Sequence, residues 1–310
     1  MADTFSSMYR GLRLWAPDVP IFLAQQLIRD RYRRASEHHL WSDLRGEDEF
    51  ILNVAKTGGT VTMTRDSAAV TGSGTNFQST DVGRQFYIGN RAPLYSISAV
   101  ASTTALTLDR VFGDETDGAG LSYSILDAYV TCPTDFGWFL VVYDPKQNWR
   151  LRHFVTQDDL ARLDPARTTA GTPWALVDRR RSTLTATSGQ AQYEMWPYSV
   201  SERNYPYYYR KKAADLTDDT DTVIQSIPGD VVTLGAKADL TMWPGSIERP
   251  NPMYDPSGRA YKLWEAQYQE RLAEAAREDD STYLMNWSTN EWSSWPYAPL
   301  DAGFLQNHAF

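Results

Sequence analysis

The stretch TVTMTRDSAAVTGSGTNF, residues 60–77, carries Gly72-Ser73-Gly74, a glycine turn of the kind that phosphate loops use. A Walker loop needs a lysine and a hydroxyl residue directly after its last glycine, to reach the phosphates and magnesium. Here Gly74 is followed by Thr75, Asn76 and Phe77, with no lysine nearby. Phe77 also stands where the third glycine of a dinucleotide fingerprint belongs, and no helical pattern follows to offer its N-terminus to an anion. The stretch therefore reads as a reversal between two strands, with glycine tolerating positive φ cheaply. No cofactor is implied.

The remaining reactive residue types form no better constellation. Adjacent His38 and His39 point about 100° apart on a helix and cannot share one metal there. His153 and His308 lie in unrelated contexts, and Cys132 is the single cysteine, so neither a metal cluster nor an intrachain disulfide is expected. The acidic doublets Asp158-Asp159, Asp218-Asp219 and Asp279-Asp280 fall at expected helix or loop ends. The first suits a helix N-terminus and its dipole; the last reads as an exposed helix end. No G-x-S-x-G nucleophile elbow is present. The expectation is a protein without catalytic, cofactor or metal residues.

The elements that would position any site divide by texture. Residues 18–45 read as the first strong helix, with Ala24, Ile28 and Ala35 on one stripe and Arg29, Arg31, Arg33 and Arg34 on the polar side. That basic row is either a solvated face or a surface for an acidic partner or a DNA backbone. Between about 50 and 127, short alternating runs rich in Val, Ile, Thr and Tyr, parted by Gly, Asn and Asp, mark a small all-β module with hairpins. Residues 128–220 look mixed: GWFLVVYD and WRLRHFV pair across Asp144–Asn148, and Thr156 caps a short helix. Helices are expected at 229–243, after Pro228, and at 256–281, where Ala260, Trp264, Tyr268, Leu272 and Ala276 recur every four residues. The final segment, 282–310, has no period but holds Trp287, Trp292, Trp295, Tyr297, Phe304 and Phe310, a set suited to packing either on its own subunit or on a neighbour or partner.

The fold expected from this pass is α+β. About three main helices form a core from 1–49 and 221–281, with an inserted small barrel- or sandwich-like β-module at 50–127, the mixed region 128–220 and the extended tail 282–310. Composition sets bounds on function. The 310 residues carry a net charge of −9, which argues against gripping free nucleic acid. The 11 Trp and 18 Tyr are large, amphipathic side chains suited to interfaces. No apolar run approaches the roughly 18 residues of a membrane span, and the N-terminal MADTFSSMYRGLRLW has no signal-peptide core. The expected compartment is the cytoplasm.

Taken in order, these parts resemble bacteriophage head-to-tail adaptor (connector) proteins. The likeness is carried by the insert GGTVTMTRDSAAVTGSGTNFQSTDVGRQFYIG and by VTCPTDF, LRHFVTQDDLARLDP, GTPWALVD, YPYYYRKKAADLTDDTD and PNPMYDPSGRAYKLWEAQYQERLAEAAREDD. It runs from about residue 17 to 281; the tail 282–310 departs from the pattern. The resemblance implies a structural virion protein made in the host cytoplasm and located at the neck. Its partners would be the portal protein, tail or neck proteins, and further copies in a ring, commonly of twelve. Genomic DNA would pass through without sequence-specific binding. The aromatic tail is then the expected portal contact. The alternative is a tail or baseplate protein whose β-module binds a glycan or receptor through Phe86, Tyr87 and Tyr95. An enzyme would need two carboxylates facing one cleft about 5–9 Å apart.

Overall fold

Thr4 accepts a hydrogen bond from the Ser7 N–H and starts helix α1, Phe5–Trp15, whose Phe5, Met8, Tyr9 and Leu12 are buried. Spacing of three and four residues puts those four side chains on one face. Pro20 precedes α2, Ile21–His38, which buries Ala24, Ile28, Tyr32 and Ala35. The computed structural model describes residues 3–88, 91–114, 118–179 and 190–285. Within them the chain divides into two units, one of residues 1–44 and 213–310, the other of residues 45–212.

The first unit is helical. Besides α1 and α2 it contains α4, Gly229–Thr241, and α5, Arg259–Met285. The short α3, Gln157–Leu163, belongs to the other unit. The four long helices share one core in which Trp41, Val231, Val232, Tyr268 and Leu272 meet the apolar faces of α1 and α2. The helix expected over 18–45 stops at His38; a 3-10 turn at Ser42–Leu44 follows, and residue 45 already begins a strand. Trp41 and Leu44 still enter the helical core, but the Trp41 indole N–H donates to Ala35 O at 2.9 Å and the chain folds back on the end of α2.

Among its described residues, the regular elements of the second unit are strands apart from α3 and a 3-10 turn at Ser79–Asp81. In chain order it has β1 Arg45–Leu52, β2 Thr60–Met63, β3 Ala69–Ser73, β4 Gln85–Ile88, β5 Arg91–Ser102, β6 Ala105–Leu108, β7 Gly118–Leu121 and β8 Tyr123–Leu126. Then come β9 Tyr129–Thr131, β10 Phe136–Asp144, β11 Trp149–Arg150, β12 Arg152–Val155, β13 Ala175–Asp178, β14 Gln192–Trp196 and β15 Arg203–Lys211. They form three sheets, ordered β1-β15-β10-β11, β12-β13-β14-β9 and β7-β2-β3-β6-β5-β4-β8. The seven-stranded sheet curls almost into a barrel because the long β5 pairs with β4 along its first half and with β6 along its second.

The expectation of a helical core carrying a small β insert is therefore overturned. The chain is mostly β, and residues 45–212 form a unit of three sheets rather than one small module. Residues 128–212 carry the difference. Tyr205, Tyr207 and Tyr209 alternate along β15 and face Phe50, Phe136 and Phe139, so β1, β10 and β15 build a buried aromatic layer of their own. Val130, Cys132, Leu176 and Met195 close that core from the second sheet, making a face-to-face sandwich. The run WRLRHFV, expected as one strand, splits at the buried Leu151: Trp149–Arg150 pairs with β10, and Arg152–Val155 joins the opposite sheet beside β13.

Gly72-Ser73-Gly74 closes β3. Gly72 lies opposite Val61 and its N–H donates to Thr104 O at 2.7 Å, while Gly74 takes φ 68° where the chain leaves the sheet. A Cβ on Gly72 would run into Thr75, so close packing demands glycine there.

Candidate groove between two strand edges

In the sandwich, β1 ends one sheet and β9 ends the other. Both edges border a groove of about 320 Å³, with Glu49, Ile51 and Asn53 on the β1 side and Tyr129 and Thr131 on the β9 side. Residues Val82 to Gln85 also line it.

Arg84 and Asp127 satisfy each other across it. Arg84 donates from Nε to Asp127 at 2.7 Å and from NH2 to Val54 O at 3.0 Å, and its NH1 lies 3.3 Å from Asp81. Asp81 is fully buried and also receives Lys56 Nζ at 2.7 Å. Asp127 accepts the Asn53 backbone N–H at 2.7 Å and the Asn53 side-chain amide at 2.8 Å. Gln85, also buried, accepts from Ala128 N and Tyr129 N at 2.8 and 2.9 Å. Buried charge is tolerated when paired and hydrogen-bonded in this way. The network ties the loop after β1, the 3-10 turn, β4 and the segment entering β9 together.

Two carboxylates, Glu49 and Asp127, line this groove. Asp127, however, is held by the Asn53 backbone and side-chain N–H groups and by the Arg84 guanidinium, so its oxygens are already engaged. Elsewhere in the sandwich, Glu194 is 1% exposed and takes Arg167 at 2.9 Å, Tyr198 OH at 3.1 Å and Arg179 at 3.4 Å. The Arg179 guanidinium lies 3.5 Å from the Tyr129 ring centre. Burial drives the Tyr129 phenol up to about 12 and pushes Tyr198 upward as well. Burial, reinforced by Asp48 and Asp178, also raises the Cys132 thiol, which keeps it protonated and unreactive. Among the described residues, no group of three or more His, Cys, Asp or Glu is placed to hold a metal ion, and no helix is long and apolar enough to cross a membrane.

The basic row of α2 is dispersed by the fold. Arg31 is 1% exposed, with Nε and NH2 on Asp239 at 2.6 and 2.5 Å, NH1 on Glu265 at 2.8 Å and its guanidinium 4.9 Å from the Tyr268 ring centre. Arg29 donates to Leu216 O at 2.6 Å and lies over Phe5. Arg33 pairs with Asp215 at the surface and Arg34 is exposed. Only the last two present their charge outward. Asp279, expected at a free helix end, instead accepts the Ser42 N–H at 2.8 Å and lies 3.6 Å from His39.

Of the residues named for a sugar platform, Phe86 and Tyr95 lie in the core of the seven-stranded sheet and Tyr87 is half-buried. They form no exposed aromatic surface. The exposed aromatic surface is elsewhere, on the outer face of the sheet β1-β15-β10-β11. There Trp138 and Tyr208 are 51% and 44% exposed, Tyr143 stacks on Tyr208 with ring centres 6.3 Å apart, and Arg210 covers Trp138 at 4.6 Å. Trp287, Trp292, Trp295, Tyr297, Phe304 and Phe310 lie outside the described residues. The sequence held a signal for the groove that was not used: three acids in a row, Glu47-Asp48-Glu49, ahead of the alternating Phe50 and Leu52. Charge on a strand of this kind is a common guard on an open sheet edge.

No protein-family model matches the chain, and a comparison with curated proteins finds no match.

Proposed function

We propose that this protein is a structural subunit of a bacteriophage head-to-tail junction, an adaptor that assembles with copies of itself into a ring between portal and tail. In this reading the ring surrounds the DNA channel, the acidic balance lets genomic DNA pass without sequence-specific contact, and the chain performs no catalytic step. Subunits are made in the host cytoplasm and end in the neck of the virion. The tail 282–310, with its seven aromatic residues, is assigned to the portal.

The observation that supports the reading best is the outer face of β10 and β15. Trp138 and Tyr208 are of residue types enriched at protein interfaces, and here they stand exposed on a sheet, with the buried Arg210 packed against Trp138. An aromatic surface of this kind suits assembly more than solitary life in water.

Native mass spectrometry and electron microscopy of the purified chain, alone and mixed with portal protein, test the proposal. A ring of about twelve subunits that binds portal is expected, with Trp138→Ala/Tyr208→Ala weakening self-association and deletion of 286–310 abolishing portal capture. A trimer would favour the glycan- or receptor-binding alternative. A chain that remains monomeric and ignores portal protein would refute the adaptor reading.

A further inference from the structure

A strand at the end of a sheet turns the N–H and C=O groups of alternate residues outward, ready for another chain. β1 is eight residues long, and among the described residues no strand pairs with its outer side. That is long enough for several main-chain hydrogen bonds. The groove toward β9 lies beside this edge, so every second side chain of an added strand would have a place to go.

The charge on this edge selects its occupant. Glu47, Asp48 and Glu49 are consecutive and exposed on β1. Arg84, the cation of the groove, is spent on Asp81, Asp127 and Val54 O and does not neutralise them. Two copies of β1 set edge to edge would bring carboxylates against carboxylates, which is destabilising. The added strand must therefore bring positive charge.

We infer that the free edge of β1 accepts an extended, cationic polypeptide strand from another protein, which continues the sheet β1-β15-β10-β11 and drops alternate side chains into the groove facing β9. Main-chain hydrogen bonds supply the affinity, and the acidic triplet supplies selection for lysine and arginine. This goes beyond the ring proposal and is independent of it: it applies to a monomer as well as to an oligomer.

The test uses the full chain and a synthetic amidated peptide of roughly nine residues, matched to a strand of ordinary length, in which valine and threonine alternate with arginine and lysine. Isothermal titration should show binding that weakens as salt rises. N-methylation of alternate residues along one edge of the peptide should reduce affinity about tenfold, as two or more hydrogen bonds are lost, whereas methylation along the other edge should not. Glu47→Lys/Glu49→Lys should also reduce binding of this peptide about tenfold or more and admit an acidic peptide of the same pattern. Both positions are exposed, and circular dichroism checks that the variant is folded. Amide exchange should slow within residues 45–52 when the peptide is bound. No binding of the parent peptide would overturn the inference. Equal loss from methylation on either edge, or unchanged affinity in the double variant, would also overturn it. Self-association of the wild-type chain that disappears in the double variant would replace the foreign strand by a second copy and refute the proposed occupant.

Discussion

Arg31 provides a sharp test, because its place in the sequence and its place in the fold suggest opposite roles. In the sequence it belongs to a basic row on α2; in the structure its side chain is 2% exposed and contacts both Asp239 and Glu265. Burial disfavours its charge, yet the two carboxylates more than compensate and hold the guanidinium firmly ionised. Arg31→Ala would remove the cation and leave two carboxylates facing each other without a partner. Breaking a buried pair from one side costs about 3–5 kcal/mol. The carboxylates retain 21% and 24% side-chain exposure and can partly rehydrate, so the lower end, about 3 kcal/mol, is expected. Arg31→Lys keeps the charge but loses the two-pronged contact with Asp239 and should fall between. Urea unfolding followed by helical circular dichroism reads the helical unit selectively, since the other unit is nearly all strand. Arg33→Ala and Arg34→Ala, on the exposed side, should leave the midpoint unchanged. If Arg31→Ala unfolds at the same urea concentration as those controls, the buried ion cluster does not hold the helices and the reasoning fails.

Two further outcomes are expected. A Cβ on Gly235 would lie 2.7 Å from Arg31 Cδ and 3.0 Å from Tyr268, so Gly235→Ala should cost about 1–3 kcal/mol; its cost should shrink in an Arg31→Ala background, and equal costs in both would show that the contact is irrelevant. For Asp164, burial works to raise the pKa but is outweighed by hydrogen bonds from Trp196, Thr169 and Thr168, which hold it at about 2. Its stabilisation is complete above the unfolded-state value near 4 and is lost as pH falls toward 2, on the order of 1–2 kcal/mol after allowance for screening. Urea midpoints at pH 5 and pH 2.5 should converge in Asp164→Asn relative to wild type; an unchanged difference would refute it.

Local signals were legible where local physics decides. Thr156 caps α3 as its sequence suggests, with Asp159 completing a capping box, and Tyr268 and Leu272 face the core as their four-residue spacing requires. Helix α1 was equally readable from Thr4 and the spacing of Phe5, Met8, Tyr9 and Leu12, but the arginine-rich segment after it drew the attention. What sequence could not reveal were partnerships over long separations. RGEDEFIL is too polar to announce a strand; it becomes one because YPYYYR, about 160 residues later, offers it a complete antiparallel ladder. The aromatic layer made by that pairing joins the strands of GWFLVVYD and YPYYYRKK to β1 in one sheet. The groove shared this fate, since its two walls, β1 and β9, acquire meaning only when both prove to be sheet edges. Arg31 follows the same rule: Asp239 and Glu265 are its neighbours only after the helices pack.

The ladder between β1 and β15 begins at Arg45↔Arg210, so the chain enters and leaves the sheeted unit on adjacent strands, about 5 Å apart. Helices α1 and α2 are synthesised before that unit, and α4 and α5 after it. Joining them across an unfolded segment of such length would carry a closure entropy of about 4 kcal/mol. Once the strands have paired, most of that entropy has already been lost in forming the ladder. The sheeted unit thus acts as a clasp in the order of folding. Its paired first and last strands hold the two points where the helical halves join the chain close together.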